Sequence, residues 1–550
     1  MHAGTQHRDR ARPSARRAAS GTRSVFREAW VTDEVPPRSL RELTAENAEL
    51  KRAIVAGDRA AVRRQRDLGK HLARERLAML LDEDSFTELE IHRRHQSQGP
   101  KLDERRPFTD GVIIGSGTIE GRRVFVYAQD FTVFGGSLGA AHAAKIQKVL
   151  DLATKTGSPI IGLVDSGGAR IQEGVQALDG YGGIFRRQVA ASGMIPQISV
   201  VLGPSAGGAA YSPALADFTF MVRDTARLYL TGPDVVEAVS GERVSHEELG
   251  GATVHGERSG VATVVHADEG DCLADVRYLV SLLPSNNMEP APVTAVRGAS
   301  RDMRPRLAEI VPAEPNRPYD MKAVIGELVD DGEFFEVHED WARNVVCALA
   351  RVDGEVVGVV GNQPMVLAGV LDRRAAQKAA RFVRFCDAFG IPLVTLVDVP
   401  GFLPGTEQEH EGVIRHGAQL LYAYCEATVP RIQVVLRKAY GGAYIVMDSR
   451  SVGSDLSLAW PTNQIAVMGA EAAVNVLYAK EKPAGDPDRA RLLAEDYAER
   501  FLHSRYAAER GLVDDIIDPA TTRASIARGL VMLRGKREPR PRRKHGNIPL

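Results

Sequence analysis

Apolar and polar positions along this chain switch repeatedly between a helical spacing and short continuous apolar runs. Across residues 43–82, apolar positions such as Leu50, Ile54, Ala61, Leu68, Leu72, Leu77 and Leu80 predict amphipathic helices. Thr44, Glu46 and Asn47 stand near the first start, and Gly57-Asp58 and Gly69 predict interruptions. Two strand-like runs follow, GVIIGSGTI at 111–119 and RRVFVYAQDF at 122–131, with Gly121 in the turn between them. FGGSLG at 134–139 leads into a predicted helix over 140–156. A buried strand ending in a turn of small residues comes next.

The second half repeats this order. A helix is predicted near 320–330, strands at 345–352 and 355–360, and a helix at 374–389. Between the halves, residues 284–318 concentrate Pro, Asn and Ser and read as a linker. The repetition is also legible in the letters. PIIGLVDSGGAR at 159–170 answers PLVTLVDVPGFLPG at 392–405, and ISVVLGPSAGGAAY at 198–211 answers IQVVLRKAYGGAY at 432–444. Asp165 precedes Gly207 by 42 residues, and Asp398 precedes Gly441 by 43. Alternating strands and helices in both halves predict an α/β fold of two related domains.

Length agrees with that count, since 550 residues exceed one hydrophobic core. The composition, 44% hydrophobic and 26% charged, is that of an ordinary globular chain. A net charge of −1 sets up no global field for nucleic acid or a membrane surface, and no apolar run has the length of a spanning helix. The cysteines Cys272, Cys347, Cys386 and Cys425 are far apart and form no CxxC pair, so the expectation is buried or semi-buried thiols in a reducing compartment. Residues 1–35 are rich in Arg and Ser and poor in acids. They read as a disordered basic extension, with the composition of a mitochondrial transit peptide as the alternative. Because Arg dominates the basic residues throughout, the expected location is the bacterial cytoplasm, with the mitochondrial matrix following only from a functional transit peptide. The basic tail RGKREPRPRRKHGNIPL reads as a solvated or docked strap rather than a nucleic-acid arm.

A glycine pair at the end of a buried strand lets backbone approach a ligand and presents bare N–H groups to developing negative charge. One such pair is explained by an ordinary tight turn. Two in repeat register point to a site that stabilises two oxyanions. His142, His255 and His266 lack metal-ligand spacing, so no metal is expected. Met321-Lys322 sits where a loop enters a helix and lacks a second Met after the lysine, so this chain is not expected to carry a biotinyl group.

DSGGARIQEG (165–174), GPSAGGAAYSPA (203–214), LVDVPGFLPGTEQEHEGVIRHGA (396–418), RKAYGGAY (437–444) and the terminal KHGNIPL form an ordered series. From about residue 45 onward the chain resembles the carboxyltransferase β subunits of biotin-dependent acyl-CoA carboxylases, of the propionyl-CoA carboxylase type. The resemblance implies two tandem crotonase-like (ClpP/crotonase) domains, drawn at 36–292 for the acyl-CoA side and 293–540 for the biotin side, with 541–550 as a tail. It implies a homohexamer built as a dimer of trimers, and an α-subunit partner with biotin carboxylase and biotin carrier domains. The implied reaction moves a carboxyl group from carboxybiotin to the α carbon of a short-chain acyl-CoA. Decarboxylated biotin is the implied base, which fits the lack of a Ser-His-Asp or HExxH pattern.

By the same resemblance, Gly207 and Gly208 form the hole for the thioester enolate, and Gly442 and Ala443 the hole for the ureido oxygen. Gly167, Gly168 and Ala169 line the acyl-CoA site or merely turn the chain; Gly401 and Phe402 lie beside biotin or pack the core. Ile445 stands at a position associated with the acyl pocket, where propionyl-type relatives often have Asp. One position cannot select among acetyl, propionyl, butyryl or longer chains, because a methylene is worth only about 1–3 kcal/mol. Ala169-Arg170-Ile171-Gln172 departs from the methylcrotonyl type, and the zinc-ribbon cysteines of the split acetyl-CoA type are missing. Three rivals stand beside this reading. A biotin-dependent decarboxylase subunit runs the transfer in reverse, and IQEG and KHGNIPL lean against it. A crotonase hydratase or isomerase would not need the second turn. A non-catalytic scaffold would need neither.

Overall fold

The computed structural model describes residues 38–99, 102–295, 298, 302–478 and 487–550; the basic extension 1–35 lies outside these. The described residues divide into two units, one ending at Val55 and the other Ala56–Leu550. The helix Leu40–Ala56 has no buried residue. In the larger unit the helices Arg59–Asp67 and Ala73–Leu80 follow, separated at the glycine breaks read from sequence. Asp58 caps the first by accepting from the Ala61 N–H at 2.8 Å.

Two sheets carry the fold. The first contains β1 (Thr87–Leu89), β2 (Val112–Ile119), β3 (Arg122–Gln129), β4 (Ile160–Ser166), β5 (Gln197–Ala206), β6 (Phe218–Val222), β7 (Arg227–Tyr229) and β8 (Val264–His266). Their order is β1-β2-β3-β4-β5-β6-β8, with β7 beside the far end of β5. The second contains β9 (Phe334–Glu336), β10 (Val345–Val352), β11 (Glu355–Asn362), β12 (Leu393–Val399), β13 (Arg431–Tyr440), β14 (Leu456–Ala459), β15 (Gln464–Ala466) and β16 (Asp515–Ile516). Its order is the same, β9-β10-β11-β12-β13-β14-β16, with β15 beside β13. In each sheet an antiparallel hairpin, β2–β3 or β10–β11, passes into parallel strands. The central strands β4, β5, β12 and β13 are buried almost throughout, which is why they read as continuous apolar runs rather than alternating ones.

The helices Ala140–Thr156 and Arg373–Ala388 occupy matching places and carry a matching device. Lys145, wholly buried, donates to the carbonyls of Thr109 (2.9 Å) and Val112. Lys378 donates to those of His338 (2.9 Å), Trp341 (3.1 Å) and Val345 (2.8 Å). Each ammonium pins the loop before the hairpin to the helix behind it. The two sheets share one apolar core, closed by Phe218 against Phe385 (ring centroids 4.7 Å) and Phe220 against Phe335.

The stretch 284–318 is not a free linker. It contains a short helix, Leu307–Ile310, and Leu307 and Val311 are core residues. The carbonyls of Pro312, Glu314 and Arg317 all accept from the Arg437 guanidinium, at 3.2, 2.8 and 2.9 Å. Proline and asparagine read as linker because they exclude regular structure, but an irregular backbone can still dock when a buried cation gathers its carbonyls. The tail docks too: Arg540 donates to the Cys425 and Ala427 carbonyls (2.9 and 3.0 Å), and Arg543 pairs with Glu426. Cys272, Cys347 and Cys386 are buried, whereas Cys425 is exposed because it lies on the outer face of the helix Val413–Glu426. Among the described residues no helix is long and apolar enough to cross a membrane.

Candidate active site

Both glycine turns are built alike. Strand β5 stays extended through Ala206 (φ −108°, ψ 149°), then Gly207 steps into the left-handed region at φ 63° and opens the helical turn Gly207–Ala210. Strand β13 stays extended through Tyr440 (φ −111°, ψ 141°), and Gly441 steps to φ 59° before the helix Gly441–Val446. A side chain at either φ would be strained, so glycine is required there. The N–H groups that begin a helical turn have no partner within it, and no side chain caps either turn. These donors are what an oxyanion would meet. The structural register pairs Gly207 with Gly441, Gly208 with Gly442 and Ala209 with Ala443. Gly441 is therefore a turn-forming residue that sequence reasoning passed over, although the glycine doublet of RKAYGGAY signalled it.

The second glycine of each doublet is small for a different reason. A Cβ on Gly208 would lie 2.8 Å from the ring of Tyr181, whereas a Cβ on Gly442 would meet nothing within 4 Å. The first turn is thus walled behind by an aromatic ring and the second is open. Ala443 is fully buried, and Ile445 is 43% exposed on the short helix that follows.

The segment after β4 is brought against the first turn. Gly168, at φ 95°, passes so close that a Cβ would come within 2.8 Å of the Ala206 carbonyl oxygen. Its own carbonyl accepts from the Leu138 N–H at 2.9 Å, its N–H donates to Ser166 Oγ at 3.1 Å, and the Gly167 N–H donates to the Gly135 carbonyl at 2.9 Å. Ala169 forms a parallel bridge with Leu138. The second half copies this bridge between Phe402 and Leu371, with Gly401 at φ 150°. Phe402 packs its ring on Gly417, where an added Cβ would lie 3.1 Å away.

Buried carboxylates brace both sites. Asp165, at the end of β4, accepts from Lys70 Nζ (2.7 Å) and Arg76 Nη1 (2.9 Å), and Arg76 also holds Glu269. Burial lowers the Lys70 ammonium, against the pull of Asp165. Asp398, at the matching place in β12, accepts from Arg437 Nε at 2.8 Å and from the Lys438 N–H at 3.1 Å. Gly203 occupies in β5 the register of Arg437, and a Cβ there would collide with the Asp165 carboxylate and the Lys70 ammonium. Sequence reasoning identified the aspartates only as repeat markers. Their partners lie far away in the chain and leave no local signal.

The histidines make specific contacts. His142 Nδ1 lies 3.0 Å from the Asp110 carbonyl, His255 bridges the Leu228 carbonyl and Ser259 Oγ, and His266 pairs with Asp275. Lys322 bridges Glu336 and Glu339 at the start of the helix Met321–Leu328. Among the described residues no cluster of His, Cys, Asp or Glu is arranged to hold a metal ion.

Comparison with known proteins agrees with the two-sheet layout. Residues 64–548 match the carboxyl transferase domain family. The propionyl-CoA carboxylase beta chain of Saccharopolyspora erythraea is 55% identical over 513 residues, covering 90% of this chain and 94% of that protein. The methylmalonyl-CoA decarboxylase subunit alpha of Veillonella parvula is 51% identical, covering 91% of this chain and 97% of that one. Among solved structures, hexameric transcarboxylase 12S, crystallised with hydrolysed methylmalonyl-coenzyme A, aligns with a TM-score of 0.91 at 47% identity over 94% of this chain and 100% of that one. With two crotonase-like α/β layouts in tandem and a family match that spans nearly the whole of both, this chain belongs to the carboxyl transferase family.

Proposed function

We propose that this chain transfers the carboxyl group of carboxybiotin, carried by a partner α subunit, to the α carbon of a short-chain acyl-CoA. Propionyl-CoA to methylmalonyl-CoA is the primary reaction, with acetyl- and butyryl-CoA as further substrates. The observation that carries this reading is the pair of matched, uncapped glycine turns, one per sheet. Proton loss from the α carbon puts charge on the thioester oxygen, and transfer from carboxybiotin puts charge on the ureido oxygen. Each needs donors that are aimed beforehand, and one such donor is worth about 3 kcal/mol of barrier.

The N–H groups of Gly207 and Gly208 take the thioester oxygen, with Gly167, Gly168 and Ala169 lining the same side. The N–H groups of Gly442 and Ala443 take the ureido oxygen, beside Gly401 and Phe402. The open face of Gly442 fits a bulky bicyclic group, since nothing stands within 4 Å of where a Cβ would be. Carboxybiotin supplies an activated carboxyl group, and the chain contributes orientation and charge stabilisation. Ile445 offers an apolar, part-exposed side chain to the acyl end. We assign residues 36–292 to the acyl-CoA side, 293–540 to the biotin side and 541–550 to the tail. We further propose a homohexamer, a dimer of trimers, in the bacterial cytoplasm where acyl-CoA and a biotin-carrying partner coexist. The exposed apolar residues Ile171, Val175 and Leu178 in one half, and Ile414 and Val467 in the other, suit faces that a second copy covers.

The decarboxylase from Veillonella parvula supports a second reading, in which the same turns run the transfer backwards. Bicarbonate fixation with a biotin-carboxylase α subunit, ATP and acetyl-, propionyl-, butyryl- and long-chain acyl-CoA separates the two. Fixation is expected, fastest with a short chain. Avidin-sensitive release of CO2 from methylmalonyl-CoA without fixation would assign the reverse direction, and inactivity both ways would refute the transfer reading.

A further inference from the structure

The first glycine turn has a support that the second lacks. Tyr181 lies on the helix Val175–Ala191 and is 4% exposed. Its ring bears on Gly208, where an added Cβ would stand 2.8, 3.1 and 3.1 Å from three ring carbons. The hydroxyl faces Ser166 without closing a hydrogen bond to any described residue. Ser166 Oγ in turn accepts from the Gly168 N–H at 3.1 Å and donates to the Gly136 carbonyl at 2.7 Å. Tyr181 therefore backs the Gly208 turn directly through its ring. Phe185 stacks on Tyr181 (centroids 5.9 Å), and Tyr211, just past the turn, meets Phe185 edge-on (5.9 Å). This aromatic ladder encloses the turn from behind and from its exit.

In the register that superposes Gly207 on Gly441, the place of Tyr211 is held by Ile445. Ile445 is not aromatic, and Gly442 is open where Gly208 is backed. An aromatic wall against one glycine and none against its counterpart is not explained by folding, since the same strand-to-helix turn forms without it.

We propose that Tyr181 is the positioning residue of the first turn: its ring fixes the α carbon of Gly208 and so aims the Gly207 and Gly208 N–H groups at the developing oxyanion. The proposal rests on the assignment of this turn to the thioester oxygen. The flat face does this work, and the hydroxyl does not. A donor that drifts by an ångström forfeits charge stabilisation that appears only in the transition state, so the loss falls on turnover rather than on substrate binding.

The test is steady-state propionyl-CoA carboxylation by the full chain with its biotin-carrying partner, for the wild type, Tyr181→Phe and Tyr181→Leu. The Phe variant is expected to keep kcat within about threefold, while the Leu variant loses about 10²-fold in kcat with KM for propionyl-CoA nearly unchanged. Tyr181→Met, read the same way, replaces the Leu variant if that does not fold. A folded Leu or Met variant with wild-type kcat would overturn the proposal, as would a Phe variant that falls as far as the Leu variant, or a loss confined to KM. A wild-type protein that fixes no carboxyl would instead refute the functional reading on which the proposal stands.

Discussion

The two halves share a backbone plan and differ in what supports it. Both sheets run in the same order, both place an aspartate at the end of the second parallel strand, and both step through a left-handed glycine into an uncapped turn. Yet Asp165 is neutralised from afar, by Lys70 and Arg76 ahead of the first sheet, while Asp398 is neutralised by Arg437 on the neighbouring strand. Gly203 explains the exchange: where β13 supplies an arginine, β5 supplies empty space, and Lys70 fills it. Buried charge must be compensated, but the compensating group can come from any part of the chain that reaches it. A repeat can therefore keep its geometry while its side-chain supports are re-sourced.

The supports are the places to break this comparison. The largest loss is expected from Arg437→Met, which leaves Asp398 buried without its cation and strips three carbonyls of their donor. Breaking a buried pair in this way costs about 3–5 kcal/mol. Lys70→Met should cost distinctly less, because Arg76 remains on Asp165. Urea unfolding of both variants measures the gap, and equal losses would refute the claim that the halves are braced differently. Next, Gly208→Ala drives a methyl into the Tyr181 ring and is expected to lower turnover by about 10²- to 10³-fold, the cost of one oxyanion donor. Gly442→Ala adds its methyl to open space, so its melting midpoint should match the wild type while that of Gly208→Ala falls. Differential scanning calorimetry alongside carboxylation kinetics checks both.

Lys145→Met and Lys378→Met test the shared feature. Each leaves buried carbonyls without a donor, at about 1–3 kcal/mol per orphaned group, and Lys378→Met, which orphans three carbonyls against two for Lys145→Met, is expected to lose more. A last effect depends on pH. Burial pushes the Asp448 carboxyl up from 3.8 to about 7, against the pull of Arg431. Between these values the folded chain holds a proton that the unfolded chain has released. This contribution is full below about pH 4 and is lost as the pH rises to 7. Asp448→Asn should flatten that part of the stability profile, and an unchanged slope would mean that the carboxyl is ionised throughout.

Much of the layout was legible before the structure. The helix Ala140–Thr156 and the strand Val345–Val352 fall where periodicity put them, because burial of one face imposes the spacing directly. The glycine turns were legible because a left-handed step at the end of an apolar strand leaves few alternatives to glycine. The helix Leu40–Ala56 formed as its spacing suggested, but it carries no buried residue, since periodicity reports a face and not what covers it. The stretch 284–318 misled for a related reason. Its composition marks irregular backbone, and the packing shows only in the structure, through the buried Leu307 and Val311 and the carbonyls gathered by Arg437.

What the sequence determined by itself was the local plan: two α/β repeats, their strand order in the chain, and the glycine doublets that bare N–H groups to charge. Those properties depend on spacing and on the steric freedom of single residues. The tertiary structure alone decided which cation faces Asp165, that Tyr181 stands behind Gly208, and that Gly168 leans on the Ala206 carbonyl. Each of these joins segments separated in sequence by dozens of residues, and such contacts are settled by how the sheets and helices pack.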